Sequence, residues 1–417
     1  MKKALIACAT AATLFAGMAN ADRELPPWTD PSDIPLPEWA VSVRPKRSDA
    51  PIFAEPGKLD LRRGSAREGA RFPLFGAKRA AGCAGRWLQV APFSWMCADI
   101  ADLSAEPAAP PPDEARESRY YFVGAERAYA YADPTRAEDA AADAELDPGW
   151  ALSILEERMI NGERWGRTRK NLWLRMRELA PAKGTKLHGE AIKGALDVAW
   201  ALPVKVPVYA EAKAGKVVRS LARYDAVHIA EEKAQKGGAW LRISEAGAPK
   251  EEWVRSSDVA RPRVSLKPAE VQKAHEKWVD VDLQTQTVVA YEGDAPVFAA
   301  LVSTGRGKMG EPTETRKGVF RIWVKLTEST MDNLEDDDAE NHYSIEDVPR
   351  VQFFDKSIAL HGAFWHDDFG HVHSHGCVNL APIDAKWLFE WTAPHLPSGF
   401  SAALPVNAEP GTVIRVR

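Results

Sequence analysis

Three features of the 417-residue sequence predict a mainly β chain: small antiparallel barrels followed by a larger β-rich C-terminal domain. First, short alternating apolar and polar segments recur between Gly, Pro and Asp, with few stretches of helical period. Second, aromatic segments repeat: P-I-F-A-E at 51–55 and P-V-Y-A-E at 207–211, R-W-L-Q-V at 86–90 and A-W-L-R-I at 239–243, W-M-C-A-D-I-A at 95–101 and W-V-R-S-S-D-V-A at 253–260. A weaker middle copy reads A-Y-A-D at 130–133, R-W-G-R-T at 164–168 and W-L-R-M-R-E-L at 173–179. Third, strand-like alternation resumes at 278–283, 287–291 and 297–303. Many of the 15 tryptophans fall in the repeats, where they are expected to fill barrel cores.

In chain order, residues 1–21 have the layout of a secretory signal peptide. Lys2 and Lys3 precede a short apolar run, and Ala19-Asn20-Ala21 offers a small-x-small cleavage site. No later run approaches the roughly 18 apolar residues of a membrane span. The expectation is therefore an exported protein, periplasmic or associated with the cell wall, with no membrane span. Residues 22–47, rich in Pro and Trp, read as an extended lead-in. Unit 1 spans 48–104, a Pro-rich linker 105–118, and unit 2 119–182. Within unit 2 the acidic, Ala-rich stretch 133–147 is a short helix or a loop. Residues 183–203 place Ile192, Leu196 and Ala199 on one face and predict a connecting helix. Unit 3 spans 204–262, and the C-terminal domain 263–417. A net charge of −5 gives no basic footprint, so nucleic acid is not an expected partner. With Cys8 removed, Cys83 and Cys97 are close enough to form a disulfide in an oxidising compartment, leaving Cys377 as the odd thiol.

Half of the ten histidines stand between residues 358 and 389: His361, His366, His371, His373 and His375, followed by Cys377. A thiol attacks as thiolate, and a nearby imidazole can take its proton to leave a Cys⁻/His⁺ pair. Gly376 beside the thiol permits close backbone approach and convergent N–H groups. The alternation H-x-H-x-H-x-C also admits a metal reading, but zinc ligand pairs usually come with a second pair, absent nearby. In the loop at 305–315, Arg306 and Lys308 are either solvated or placed to meet an anionic substrate. After the motif, residues 384–391 set Trp387, Leu388 and Trp391 on one face of a short helix.

The elements H-G at 361–362 and S-H-G-C-V-N at 374–379, with S-T-G-R at 303–306 and K-G-V-F-R-I at 317–322 upstream, resemble the L,D-transpeptidase (YkuD-like) catalytic domain. The resemblance covers the last third of the chain. Asn379 stands where many members carry Arg. The repeats resemble bacterial SH3-like domains. The first resemblance implies a β-sandwich-like catalytic domain with short helices and no metal or organic cofactor. It implies Cys377 as nucleophile, His361 as general base oriented by the Gly362 carbonyl, and His375, Gly376 and Cys377 at an oxyanion hole. Ser374 and Asn379 would position loop and substrate, and residues 327–349 would form a solvated lid. The implied reaction starts on a peptidoglycan tetrapeptide stem, releases D-Ala through a thioester, and passes the acyl group to an amine of a neighbouring stem as a 3→3 cross-link. Water as acceptor would make an L,D-carboxypeptidase, and a non-catalytic wall-binding protein is a further alternative. Carbapenems would acylate the same cysteine. The SH3-like units would hold the enzyme on the intact sacculus without entering the chemistry.

Overall fold

The computed structural model describes residues 32–111, 119–243, 250–335 and 342–417. The expected signal peptide, residues 22–31 of the lead-in, residues 112–118 of the linker and the acidic run 336–340 lie outside them.

The chain is mainly β, and three successive stretches share one plan, a five-stranded sheet with a three-stranded sheet beside it. In the second, strands Ala144–Leu146, Ala128–Tyr131, Trp173–Arg175, Glu163–Arg167 and Glu156–Ile160 lie side by side in that order. The third repeats this with Val217–Ala222, Lys205–Tyr209, Trp253–Arg255, Gly238–Arg242 and Glu231–Gln235. In the first, Arg62–Ala66, Ala50–Phe53, Ser94–Cys97, Trp87–Ala91 and Gly76–Lys78 pair in the same succession. Each copy carries a 3₁₀ turn at one place, Ala98–Ile100, Met176–Glu178 and Ser256–Asp258. The aromatic residues segregate from the aliphatic core into a trio per copy: Phe53, Trp87 and Trp95; Tyr131, Trp165 and Trp173; Tyr209, Trp240 and Trp253. All six tryptophans are buried. They fill space inside the units, each worth on the order of 2–3 kcal/mol of apolar burial.

Two stretches differ from their sequence-based reading. Residues 42–45 of the lead-in form strand Ser42–Pro45, which pairs with Ala101–Ser104 and completes the first unit. Residues 183–203, expected as a helix, are extended, with strands Glu190–Ala191 and Val198–Ala201. Their apolar residues do not share a helix face. Leu187, Ile192, Leu196, Val198 and Trp200 all enter one core with the C-terminal sheet, and Ile192 N–H donates to the Val297 carbonyl at 2.9 Å. Pairing with a sheet edge satisfies backbone groups as a helix would. Within 133–147 the structure has a 3₁₀ turn at Pro134–Arg136 and strand Ala144–Leu146.

The C-terminal domain begins with the antiparallel strands Lys277–Asp282, Thr287–Glu292 and Ala295–Ser303, the first also paired in parallel with Val413–Val416. Both faces of this sheet are covered. Trp278, Val289, Tyr291, Ala299 and Leu301 face the 187–200 strap, whereas Val279, Val281, Val288, Ala300 and Val302 face helix Pro382–Trp391 and its neighbours. Pro382 opens that helix at a position where no N–H partner is needed. Buried Lys325 ties its other end, donating to the carbonyls of Phe389 and Thr392.

Candidate active site around Cys377

Strand Ile358–Gly362 runs parallel to Val378–Leu380, with His361 beside Asn379. The nucleophile candidate therefore sits one residue before a central strand, and the His361 imidazole stands on the strand next to it. Both side chains open into a cavity of about 970 Å³ that is also lined by Arg306, Tyr343, Trp365, His373, Ser374 and His375.

His361 is 1% exposed. Its Nδ1 lies 3.3 Å from the Gly362 carbonyl, an acceptor only, so Nδ1 carries the proton and Nε2 keeps its lone pair. Trp365 stacks on the ring at 5.5 Å. Burial pushes the imidazole down to about 4 and the Cys377 thiol up to about 11. At neutral pH both groups are therefore neutral. Both shifts disfavour a resting Cys⁻/His⁺ pair, because burial penalises the charged forms. The thiol rests 3.8 Å from the Ser357 carbonyl.

The loop before Cys377 is pinned through Ser374 and Thr315. Gly376 N–H donates to Ser374 Oγ at 3.1 Å, and Ser374 Oγ donates onward to the Cys377 carbonyl. Thr315 Oγ1 accepts from Gly305 N–H and donates to the Gly376 carbonyl, both at 2.7 Å. Gly376 has φ +121°, a conformation that L side chains rarely adopt, and this turns the backbone sharply into Cys377. In this state the Gly376 N–H, expected at an oxyanion hole, is engaged within the loop.

His375 stacks on Tyr343 at 5.1 Å, and its Nε2 accepts from Arg306 Nη2 at 2.7 Å. Burial, then Arg306 and His373, hold its pKa below the ordinary value. His366 is pushed down to about 3, chiefly by burial. Its Nδ1 accepts from Asp368 N–H at 3.2 Å, so the proton sits on Nε2, 2.9 Å from the Asn379 amide. That contact is satisfied when the amide presents its oxygen. Asn379 therefore holds a neighbouring histidine in place as well as bordering the cavity. His371 and His373 both approach Asp368, at 3.2 and 3.7 Å.

Several residues near the site carried no sequence signal. Phe122, Gly149 and Ala151 of the second unit line the same cavity. Ala151 pairs in parallel with Ile345 on the expected lid, and Ser153 hydrogen-bonds Asp347 there. Tyr120 stacks on Phe364 with centroids 3.7 Å apart. From the third unit, Arg223 pairs with Asp368 at 2.9 Å, and Tyr224 Oη donates to the Asp367 carbonyl at 2.9 Å. The second unit therefore borders the cavity, and the third contacts the loop that carries His366, His371 and His373.

A family model described as the YkuD L,D-transpeptidase catalytic domain matches residues 276–416. Among solved structures, the chain is similar to an L,D-transpeptidase (residues 123–326) from Xylanimonas cellulosilytica, with 21% identity, 35% of this chain and 62% of that one covered, and a TM-score of 0.24. An L,D-transpeptidase from Stackebrandtia nassauensis matches at 26% identity over 36% of this chain and 60% of that one, TM-score 0.24. The catalytic domain of the Enterococcus faecium L,D-transpeptidase matches at 23% identity over 35% of this chain and 100% of that domain, TM-score 0.26. The chain thus spans less than two thirds of the first two of these structures. No curated protein matches it.

Proposed function

We propose that the L,D-transpeptidase catalytic domain matched at residues 276–416 is a working one, a cysteine acyltransferase acting on peptidoglycan stem peptides in the cell wall compartment. The observation that carries this reading is that Cys377, one residue before strand Val378–Leu380, and His361, on the adjacent strand, line one cavity, with the base in the tautomer that leaves Nε2 free to accept.

Cys377 attacks the carbonyl at the L-centre of the donor's diamino acid, and its proton passes to His361 Nε2. The tetrahedral intermediate collapses to a thioester, the protonated imidazole gives its proton to the departing D-Ala amine, and an acceptor amine then resolves the thioester. Because thiol and imidazole are both neutral at rest, proton transfer accompanies attack. His375, Ser374 and Gly376 shape the loop that presents the thiol. For the Gly376 N–H to meet an oxyanion, it must exchange its Ser374 partner for the substrate. The repeated units, read as SH3-like, hold the domain near the sacculus and complete one wall of its cavity.

Cys377→Ala should abolish D-Ala release from a tetrapeptide stem and the mass gain on carbapenem treatment, with an unchanged melting temperature. His361→Ala should lower turnover by roughly 10²–10⁴-fold. Near-wild-type turnover in either variant overturns the roles. Muropeptide products read by mass spectrometry separate cross-linking from hydrolysis. The raised thiol pKa adds a pH test. Without substrate, alkylation of Cys377 by iodoacetamide should keep accelerating from pH 9 towards 11, where an ordinary thiol near 8.5 has already levelled off.

A further inference from the structure

We propose that Arg306 is the carboxylate anchor of the donor site, binding a free carboxylate of the stem peptide through the guanidinium face left open beside His375. The inference rests on the L,D-transpeptidase reading above and names the group that the cavity recognises.

Arg306 lines the cavity that holds Cys377. Its place is built. Its N–H donates to the Ser374 carbonyl at 3.0 Å, and Gly305 bridges to Ser374, so the residue is fixed to the loop that presents the nucleophile. The flanking glycines allow the loop to fold tightly. A Cβ at Gly305 would lie 2.2 Å from the Thr313 carbonyl oxygen, and one at Gly307 would lie 2.6 Å from Glu314 N. The two nearest acidic residues in the loop cap backbone instead of pairing with the guanidinium. Glu311 accepts from Lys308 N–H at 2.8 Å and Glu314 from Gly310 N–H at 2.6 Å.

Arg306 consequently has an imidazole as its hydrogen-bonding side-chain partner and no carboxylate among the described residues. His375 Nε2 takes one N–H, which requires the ring to be neutral with its proton on Nδ1. Among the described residues its positive charge therefore has no carboxylate partner, and of five guanidinium donors the remainder are open to a ligand. This fork matches a carboxylate bidentately, as a lysine would not. The scissile carbonyl of the donor is one residue from the D-Ala carboxylate, and the diamino acid carries another carboxylate at the end of its side chain. Either presents the same chemistry to a cation held beside the nucleophile loop.

The test uses the full chain and three tetrapeptide donors: the free acid, the D-Ala carboxamide, and the stem amidated on the diamino acid side chain. Release of D-Ala or its amide gives kcat and KM for the wild type and for Arg306→Gln. Loss of a charge-assisted bidentate pair should raise KM for the acid about ten- to hundredfold, with kcat within a few-fold. One amidated donor should show the same penalty on the wild type, and Arg306→Gln should add nothing to it. Which amide behaves so identifies the carboxylate. Unchanged KM in Arg306→Gln, equal KM for all three donors on the wild type, or an equal loss on all three in the variant overturns the anchor alone. No D-Ala release by the wild type from any donor overturns the transpeptidase reading and the anchor with it. Arg306 is exposed, so the variant should keep the wild-type melting temperature, and the amide comparison on the wild type does not depend on the variant.

Discussion

The first and second repeated units put different chemistry in one place. Across the ladder from the buried Trp87 stands Cys97, and across from Trp165 stands Arg175. Cys97 is joined to Cys83, closing a loop with a sequence separation of 14. Arg175 instead lays its guanidinium over Trp165 at 4.8 Å and over Tyr131 at 5.7 Å, and pairs with Glu163. The third unit follows the second in weaker form, with Arg255 opposite Trp240 and 5.6 Å from its ring. The trio of rings is kept, while the element bracing it changes from covalent to electrostatic. The outer edges differ as well. Arg62–Ala66 of the first unit joins the C-terminal domain as a strand beside Phe400–Ala403. The second unit pairs through Ala151 with Ile345, and the third holds the histidine loop through Arg223 and Tyr224.

These contrasts set an order of expected effects. The largest belongs to the docked edge of the first unit. Arg63 is 3% exposed and donates to the carbonyls of Leu404 and His395 and to Glu409. Arg63→Ala should cost about 3–5 kcal/mol in urea unfolding, as breaking a buried pair leaves its partners unsatisfied. A loss below 1 kcal/mol would show that the edge contributes little to stability. By the same measure, a fragment of residues 263–417 should be poorly folded, since it loses that strand and the Phe72 ring edge-on to Phe400.

Next comes the brace of the first unit. Cys97→Ser should cost about 3 kcal/mol by the chain-entropy estimate for a loop of this size, read as a lower urea midpoint under non-reducing conditions. Adding reductant to the wild type should reproduce it. Arg175→Ala should cost about 2 kcal/mol, because its side chain is 10% exposed and faces two rings and a carboxylate. Arg255→Ala, at an exposed position, should cost about 0.5–1 kcal/mol. If Arg255→Ala proved as costly as Arg175→Ala, burial would not be what separates the two braces.

Acid conditions should weaken the C-terminal domain in a defined window. His361 and His366 titrate near 4 and 3 when folded, against about 6.5 unfolded. The unfolded chain therefore binds more protons than the folded one below about pH 6.5. These two rings contribute stability that is full above that value and is lost as pH drops towards 4, while buried Asp384, whose carboxyl is pushed up to about 7, acts in the opposite direction over the same range. A melting temperature that rises on acidification from pH 7 to 4.5 would contradict the burial assigned to these rings.

The repeats and the Cys377 motif are legible in the sequence because their information is local. An aromatic residue at a given register of a short strand returns with each unit, so even the weak middle copy, A-Y-A-D with R-W-G-R-T, marks Tyr131 and Trp165 of a real trio. His361, Ser374, Gly376, Cys377 and Asn379 likewise stand on two strands and one turn whose spacing is written in consecutive residues. Folding alone decided what lies across from these segments. The 183–203 stretch has apolar residues compatible with a helix, but an open edge at Ala295–Ser303 accepts it as a strand. Phe122, Gly149 and Ala151 reach the cavity because one unit edge pairs with Ile345, and nothing in their own neighbourhood encodes that contact. The protonation of the thiol and imidazole was decided in the same way. Desolvation sums over every atom packed around a group, and most of those atoms come from distant parts of the chain.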